Sequence, residues 1–230
     1  MRIGQVGPSG RSRLARTVFP RYTVHIPDDI EGEGPFVYVS HHQNLFGPFV
    51  TLLWFPYSLH AWVLHVFLDQ TTCYRHYVEY TFTRRFGWHK SWAKMWAWPL
   101  SHVVSKLLNS GRSIPVFRGS RKIQHTLDLS VAALCRGESI IIFPDIDYRD
   151  NAADTKAMYD GFLYLEKYYD RETGRHLRFV PLFASKKKRL LIADRPVTFR
   201  DGVPFRTERR VVRDTIHAHL NKWAQSCGDV

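Results

Sequence analysis

Short apolar runs alternate with longer helical patterns along most of this chain. The short runs are rich in Val, Ile and Phe and predict strands at residues 21–26, 36–39, 59–66, 113–117, 139–143, 177–183 and 190–199. The longer patterns predict helices at residues 70–86, 88–108, 121–136, 153–170 and 207–226. Because helices separate the strands, we expect an α/β fold with a mixed, largely parallel central sheet flanked by helices.

The chain is strongly basic. Its 230 residues contain 33 Lys and Arg against 21 Asp and Glu, a formal charge of +12. A composition that is 44% apolar and 14% aromatic excludes global disorder. The charge indicates an acidic partner, either nucleic acid or an anionic membrane surface. Residues 1–16, with four arginines, are predicted to form a basic flexible arm, and residues 17–230 a single domain.

The cysteines and the longest uncharged stretch exclude several classes of protein. Three widely spaced cysteines exclude a disulfide framework and a cysteine-based zinc site, and they favour a reduced interior. No metal site is predicted. Residues 35–68 contain no Asp, Glu, Lys or Arg, but their histidines and prolines favour buried core elements over a membrane span.

Two adjacent histidines follow the strand predicted at 36–39. His41 and His42, with Gln43 and Asn44, lie in a turn that enters a helix. This is the carboxyl end of a strand, where α/β folds place catalytic groups. Histidine can act as a general base near neutral pH, and the amides of the following helix can stabilise an anionic transition state. The alternative is a pair of histidines that cap a structural turn.

Charged residues also end two other predicted strands. Arg118 follows the strand at 113–117, and its guanidinium suits phosphate or carboxylate; a solvated arginine is the alternative. The run at 139–143 leads into a segment that contains Pro144, Asp145, Asp147, Tyr148 and Arg149. Asp145 and Asp147 share one face of an extended chain. Their spacing also resembles a metal loop, but further ligands are missing.

In this order, these segments resemble the motifs of the glycerolipid acyltransferase superfamily, which includes lysophosphatidic acid and glycerol-3-phosphate acyltransferases. The family's first motif is typically Asn-His-x-Ser-x-x-Asp-Pro, and the chain has His41-His42-Gln43-Asn44-Leu45-Phe46-Gly47-Pro48. Its second motif, an apolar strand that ends in Arg, resembles residues 114–118. Its third, Phe-Pro-Glu-Gly-Thr-Arg, begins here as Phe143-Pro144-Asp145 and then departs. Gly161 matches the glycine of a Phe-x-x-Gly helix start, and Val180-Pro181-Leu182 resembles the fourth motif, Val-Pro-Val.

This resemblance implies an acyltransferase-like fold and a reaction with His42 as general base. The acceptor's hydroxyl would attack the thioester of acyl-CoA or acyl carrier protein, which is a co-substrate, so no bound cofactor is expected. The family's Asp, which orients the imidazole, is here Gly47. Either Asp145, Asp147 or His41 orients His42 instead, or the site is degenerate. The motif positions imply substrate contacts at His41, Gln43, Asn44, Arg118, Pro144, Tyr148, Arg149 and Gly161.

Tryptophans recur on one face of the helix predicted at 88–108. Trp88, Trp92 and Trp96 are four residues apart, with Lys90 and Lys94 nearly opposite. Tryptophans near cations suit the headgroup region of a membrane, so these five residues are predicted membrane contacts. The alternative is an aromatic face that packs into the core.

Together these features predict an O-acyltransferase that acts at a membrane surface. It would transfer a fatty acyl chain to a hydroxyl of a lysophospholipid, glycerol phosphate or related amphiphilic acceptor. We expect a cytoplasmic protein, peripheral on the anionic inner face of the membrane. An acyl carrier protein is itself acidic, so the basic charge would also steer such a donor to the protein. The alternative is a lipid-binding pseudoenzyme of the same fold. The chain lacks a nucleic-acid-binding motif, so no nucleic-acid partner is expected.

Overall fold

A computed structural model describes residues 19–30, 34–119, 121–146, 152–155 and 157–230. The described residues divide into two compact units: those of 1–59 and 131–230 form the larger unit, and those of 60–130 form the smaller one. The single domain expected over 17–230 stays a prediction. The basic arm expected at 1–16 lies outside the described residues.

Strands and helices alternate along the chain, as the apolar pattern predicts. The strands are β1 (Thr23–His25), β2 (Val37–Ser40), β3 (Leu59–Leu64), β4 (Ile114–Val116), β5 (Ser139–Ile142), β6 (Phe179–Ser185) and β7 (Leu190–Ala193). The helices are α1 (Phe46–Trp54), α2 (Gln70–His76), α3 (Lys90–Ser110), α4 (Ile123–Cys135), α5 (Tyr164–Thr173) and α6 (Phe205–Cys227). A π-helix, Tyr77–Arg85, continues α2, and the 3₁₀ turn Gly161–Leu163 precedes α5.

The larger unit contains a mixed sheet in the strand order β1-β7-β6-β2-β5. β2 is parallel to both β5 and β6, and β1 is parallel to β7; only the β6–β7 pair of this sheet is antiparallel. All residues of β2 and β6 are buried, as is typical of strands covered on both faces. The predicted α/β fold with a mixed, largely parallel sheet is confirmed.

The smaller unit combines a parallel strand pair with helices. β3 pairs with β4, and Trp62 of β3 donates a 2.9 Å hydrogen bond from Nε1 to Oγ of Ser130. The side chains of Val78 and Phe82 form an apolar cluster with Ala93 and Ala97 of α3. Helix α3 therefore packs through small residues, which allow a close approach of the π-helix.

One predicted helix begins later than the sequence pattern suggests. The pattern predicts a helix from residue 153, whereas α5 begins at Tyr164. Met158 instead forms a β-bridge with Asp145, and Tyr159 donates its main-chain N–H to the oxygen of Pro144 at 2.7 Å. Because Met158 and Tyr159 pair with the segment after β5, these two residues form a β-bridge and not a helix.

A cluster of ionisable groups lies before β6, at the amino end of that strand. The ring of His176 contacts Glu166 through Nδ1 and lies 2.9 Å from Asp201 Oδ1 through Nε2. Burial raises the pKa of the Glu166 carboxyl, and the hydrogen bond to Glu166 raises the pKa of His176. Glu166 also accepts the main-chain N–H of Leu177 at 2.9 Å, so the cluster ties α5 to the start of β6.

Candidate active site

Three parallel strands end together at one edge of the larger unit's sheet. The register places Val39 of β2 beside Ile142 of β5 and beside Pro181 of β6. His42 and Asp145 each follow this level by three residues, so the loops after β2 and β5 meet. The carboxyl edge of a parallel sheet is where α/β proteins place functional groups.

His41 is locked by hydrogen bonds from both ring nitrogens. Its Nδ1 is bonded to Oδ1 of Asp145, and its Nε2 lies 2.8 Å from the carbonyl oxygen of Ala152. A carbonyl oxygen only accepts, so Nε2 carries a proton, and a second proton lies between Nδ1 and the carboxyl. The side chains of His41 and Asp145 are 3% and 4% exposed. His41 therefore has no ring nitrogen ready to take a proton from a substrate.

The Asp145 carboxylate holds His42 through a hydrogen bond from the main chain of His42. Oδ2 of Asp145 accepts the main-chain N–H of His42 at 2.7 Å, while Oδ1 is bonded to the ring of His41. The sequence interpretation made Asp145 a candidate to orient the imidazole of His42. The structure gives its two oxygens these other partners, because the register brings the carboxylate level with the His42 backbone. Asp147, the other carboxylate candidate, lies outside the described residues, as do Tyr148 and Arg149.

The ring of His42 is half-buried. It packs edge-on against Phe143, with ring centroids 5.8 Å apart and an interplanar angle of 79°. Phe143 follows directly on β5, so an aromatic ring fixes one side of the imidazole. Of the two adjacent histidines, His42 is the more exposed residue.

The turn after His42 is tight and uses left-handed residues. Gln43 and Asn44 have φ of 44° and 62°, a region that few residues other than glycine adopt. Gln43 is buried, and its Nε2 donates to the carbonyl oxygen of Ala184 in β6 at 3.1 Å. This contact anchors the turn to the sheet. The substrate contact predicted for Gln43 would compete with it.

The amino end of α1 has few amides available for an anion. Phe46 donates its N–H to the oxygen of Gln43 at 3.2 Å, and Gly47 donates to the oxygen of His42 at 3.1 Å. Pro48 has no N–H, and Phe49 donates to the oxygen of Leu45. The sequence suggested that these amides could stabilise an anionic transition state. In the structure the turn itself already uses them.

Gly47 lies against the backbone of His41. A Cβ added at position 47 would lie 2.1 Å from the carbonyl oxygen of His41 and 3.1 Å from that of His42. The turn must move before any side chain fits. The loop therefore requires glycine at the position where the first motif of the glycerolipid acyltransferases has aspartate.

We expect Gly47→Ala and Gly47→Asp each to lower the free energy of unfolding by about 1–3 kcal/mol, because a side chain overpacks the turn. Gly47→Asp is expected to create no acyl transfer that the native chain lacks. Urea unfolding followed by circular dichroism measures the first effect. Gly111→Ala is the control, since a Cβ there meets its nearest atom at 3.6 Å. A Gly47→Asp variant of native stability with higher turnover would contradict this interpretation.

The remaining predicted site residues lie in several places. Asn44 is half-buried in the turn, and Pro144 is buried at the end of β5. Gly161 begins the 3₁₀ turn before α5. Arg118 is exposed in the turn after β4, in the smaller unit. Substrate contacts by these four residues stay predictions.

The tryptophans of the smaller unit are exposed. Trp88, Trp92 and Trp96 are 41%, 60% and 54% exposed, so the alternative of an aromatic face in the core is wrong. Lys90 and Lys94 line a cavity of about 390 Å³ with Thr71, Tyr74, Arg75, Val78 and Glu79.

None of the helices in the described ranges has both the length and the apolar character that a membrane span requires. No group of three metal-ligating side chains is found among the same residues.

Comparison with known proteins relates the chain to an acyltransferase by its fold. No family model matches the sequence, and no curated protein matches it. Among solved structures, it is similar to the 1-acyl-sn-glycerophosphate (LPA) acyltransferase PlsC from Thermotoga maritima, with a TM-score of 0.52. The identity is 15%, over 92% of this chain and 76% of that chain. The resemblance to the glycerolipid acyltransferases, predicted from short motifs, is thus confirmed at the level of the fold.

Proposed function

We propose that this protein is an O-acyltransferase. It moves a fatty acyl chain from a thioester, acyl-CoA or acyl carrier protein, to a hydroxyl of a lysophospholipid, glycerol phosphate or related amphiphilic acceptor. The observation that carries this proposal is that two adjacent histidines have different surroundings. His41 is locked by Asp145 and Ala152, while His42 stays half-open at the carboxyl edge of an acyltransferase-like sheet.

In the proposed reaction, His42 takes the proton of the acceptor's hydroxyl as the oxygen attacks the thioester carbonyl. A new C–O bond forms, the C–S bond breaks, and the departing thiolate receives the proton from the imidazolium. Phe143 and the bond from His42 N–H to Asp145 hold the base in place. Arg118, whose motif position implies a substrate contact, has a guanidinium that suits an anionic group. The protein would work peripherally at the cytoplasmic face of a membrane, where amphiphilic acceptors reside.

The test is an assay of the purified chain with labelled acyl-CoA or acyl carrier protein. Lysophosphatidic acid, other lysophospholipids and glycerol 3-phosphate serve as acceptors. We expect labelled acyl ester and free thiol to form in equal amounts, with at least one acceptor. Thiol release without acceptor would indicate hydrolysis instead. If neither product forms with any donor and acceptor, the proposal fails.

A lipid-binding pseudoenzyme is the second candidate, because Gly47 is packed where the resembling family has its aspartate. Such a protein would bind lysolipid and release no thiol. Equilibrium binding of a fluorescent lysolipid, measured beside the thiol assay, separates the two candidates. Binding with turnover excludes the pseudoenzyme, whereas binding without turnover favours it.

A further inference from the structure

Helix α3 packs with its small residues inward and its bulky residues outward. Its buried positions are Ala93, Ala97, Ser101 and Ser105, at intervals of four residues. The adjoining, outward-facing side carries five large apolar side chains, 37% to 63% exposed: Trp92, Trp96, Leu100, Val103 and Leu107. We call these five residues the α3 stripe. At 1.5 Å per residue the α3 stripe is about 22 Å long.

A surface helix of a globular protein usually turns its large apolar side chains toward the core and its polar side chains toward water, which is the reverse of the arrangement in α3. Contiguous exposed apolar surface of this kind marks an interaction site. The other described residues of the smaller unit therefore leave the α3 stripe largely uncovered.

The sequence around the α3 stripe carries charge of one sign. Between Glu79 and Asp128 there is no carboxylate, whereas nine cations occur there: Arg84, Arg85, Lys90, Lys94, Lys106, Arg112, Arg118, Arg121 and Lys122. Two copies that met through this region would bring the two cationic segments together, which opposes a homodimer. An anionic surface would be attracted to it.

We propose that the α3 stripe is a docking surface for an anionic lipid bilayer, with α3 lying in the plane of the interface. The tryptophans of the α3 stripe suit the boundary of the headgroups, and its aliphatic side chains suit the acyl chains just beneath that boundary. The surrounding cations attract anionic headgroups.

This surface differs from the contacts that the tryptophan periodicity predicts. It extends about three turns beyond Trp96, through Leu100, Val103 and Leu107. Lys90 and Lys94 lie on the other side of α3, around the cavity they share with Arg75 and Glu79. They therefore act through long-range attraction rather than by touching headgroups beside the α3 stripe. The docking requires no catalysis, so it goes beyond the proposed reaction.

The experiment is sedimentation of the full chain with vesicles of phosphatidylglycerol and phosphatidylcholine in equal parts. Val103→Glu is the test variant, because Val103 is 63% exposed in the α3 stripe. Val211→Glu in α6 is the matched control, with the same change at a helical valine that is 43% exposed. We expect Val103→Glu to lower the vesicle partition coefficient about tenfold or more, since burial of a valine is lost. The control variant should bind like wild type, and vesicles of phosphatidylcholine alone should bind wild type less.

Equal binding by wild type and Val103→Glu would overturn the docking surface. So would a wild-type dimer in sedimentation equilibrium that Val103→Glu dissociates, without vesicle binding by either protein, because a second copy then covers the α3 stripe. Acyl transfer is measured separately, with a short-chain lysolipid acceptor below its micellar concentration. Wild type that binds vesicles through the α3 stripe but transfers no acyl group would support the docking and refute the reaction alone.

Discussion

Replacing His42 with Ala is expected to lower kcat for acyl transfer by about 10²- to 10⁴-fold, the usual contribution of a positioned general base. The imidazole removes the proton from the attacking hydroxyl, and Ala has no group that can do so. KM for the donor should change little, because the lost interaction belongs to the transition state. Initial rates of thiol release give both constants.

The loss must be separated from a loss of the fold. His42 is half-buried, so its truncation leaves the sheet intact, and thermal unfolding should show a native-like transition. His25→Ala is the matched control, since His25 is exposed in β1, at the outer strand of the larger unit's sheet. Wild-type turnover in the His42→Ala variant would refute the assignment of the base.

The position of this site could be predicted from the sequence because parallel strands leave a clear pattern. The apolar runs at 36–39, 139–143 and 177–183 correspond to β2, β5 and β6, which are buried and adjacent. The first two runs lead into motif residues, and the third contains the motif Val180-Pro181-Leu182. Parallel strands bring their carboxyl ends to the same edge. The order of the motifs therefore predicts this edge of the sheet from the sequence alone.

The contacts within the edge could not be predicted from the sequence. Spacing along the chain does not reveal that Asp145 lies level with the His42 backbone, because this depends on strand register. Nor does it reveal that the left-handed turn at Gln43 and Asn44 brings the His41 carbonyl against Gly47. From the sequence alone, the missing aspartate at position 47 indicates a defective catalytic site. The structure shows instead a turn that packs tightly around Gly47.

The orientation of α3 was open for a different reason. Tryptophans at every fourth position give the same sequence pattern whether the helical face that carries them is buried or exposed. The deciding signal was a second period, formed by Ala93, Ala97, Ser101 and Ser105, which lie on the packed side. Small residues repeated on one helical face indicate close packing of that face, so bulky residues on the other face remain exposed.

Replacing Asp145 with Ala is expected to lower the free energy of unfolding by about 3–5 kcal/mol, the usual cost of removing one partner of a buried ionisable pair. The ring of His41 loses its carboxyl partner, and the His42 amide loses an acceptor at 2.7 Å. Urea unfolding at neutral pH measures the change. A loss below that of an exposed substitution such as Asp128→Ala, in α4, would contradict the buried pairing.

Asp145→Asn distinguishes a positioning role from charge stabilisation of the base. Its amide oxygen can accept the His42 N–H, and its NH₂ can donate to Nδ1 of a neutral His41 whose Nε2 still donates to Ala152. All these hydrogen bonds are then retained, so we expect a loss of only about 1 kcal/mol in stability and a kcat near that of wild type. If Asp145 instead supported the imidazole of His42 by its charge, Asp145→Asn should lower kcat by about 10⁴-fold, as in Ser-His-Asp triads. Measuring unfolding and turnover on the same variant therefore decides whether the carboxylate acts through the His42 backbone or through its ring.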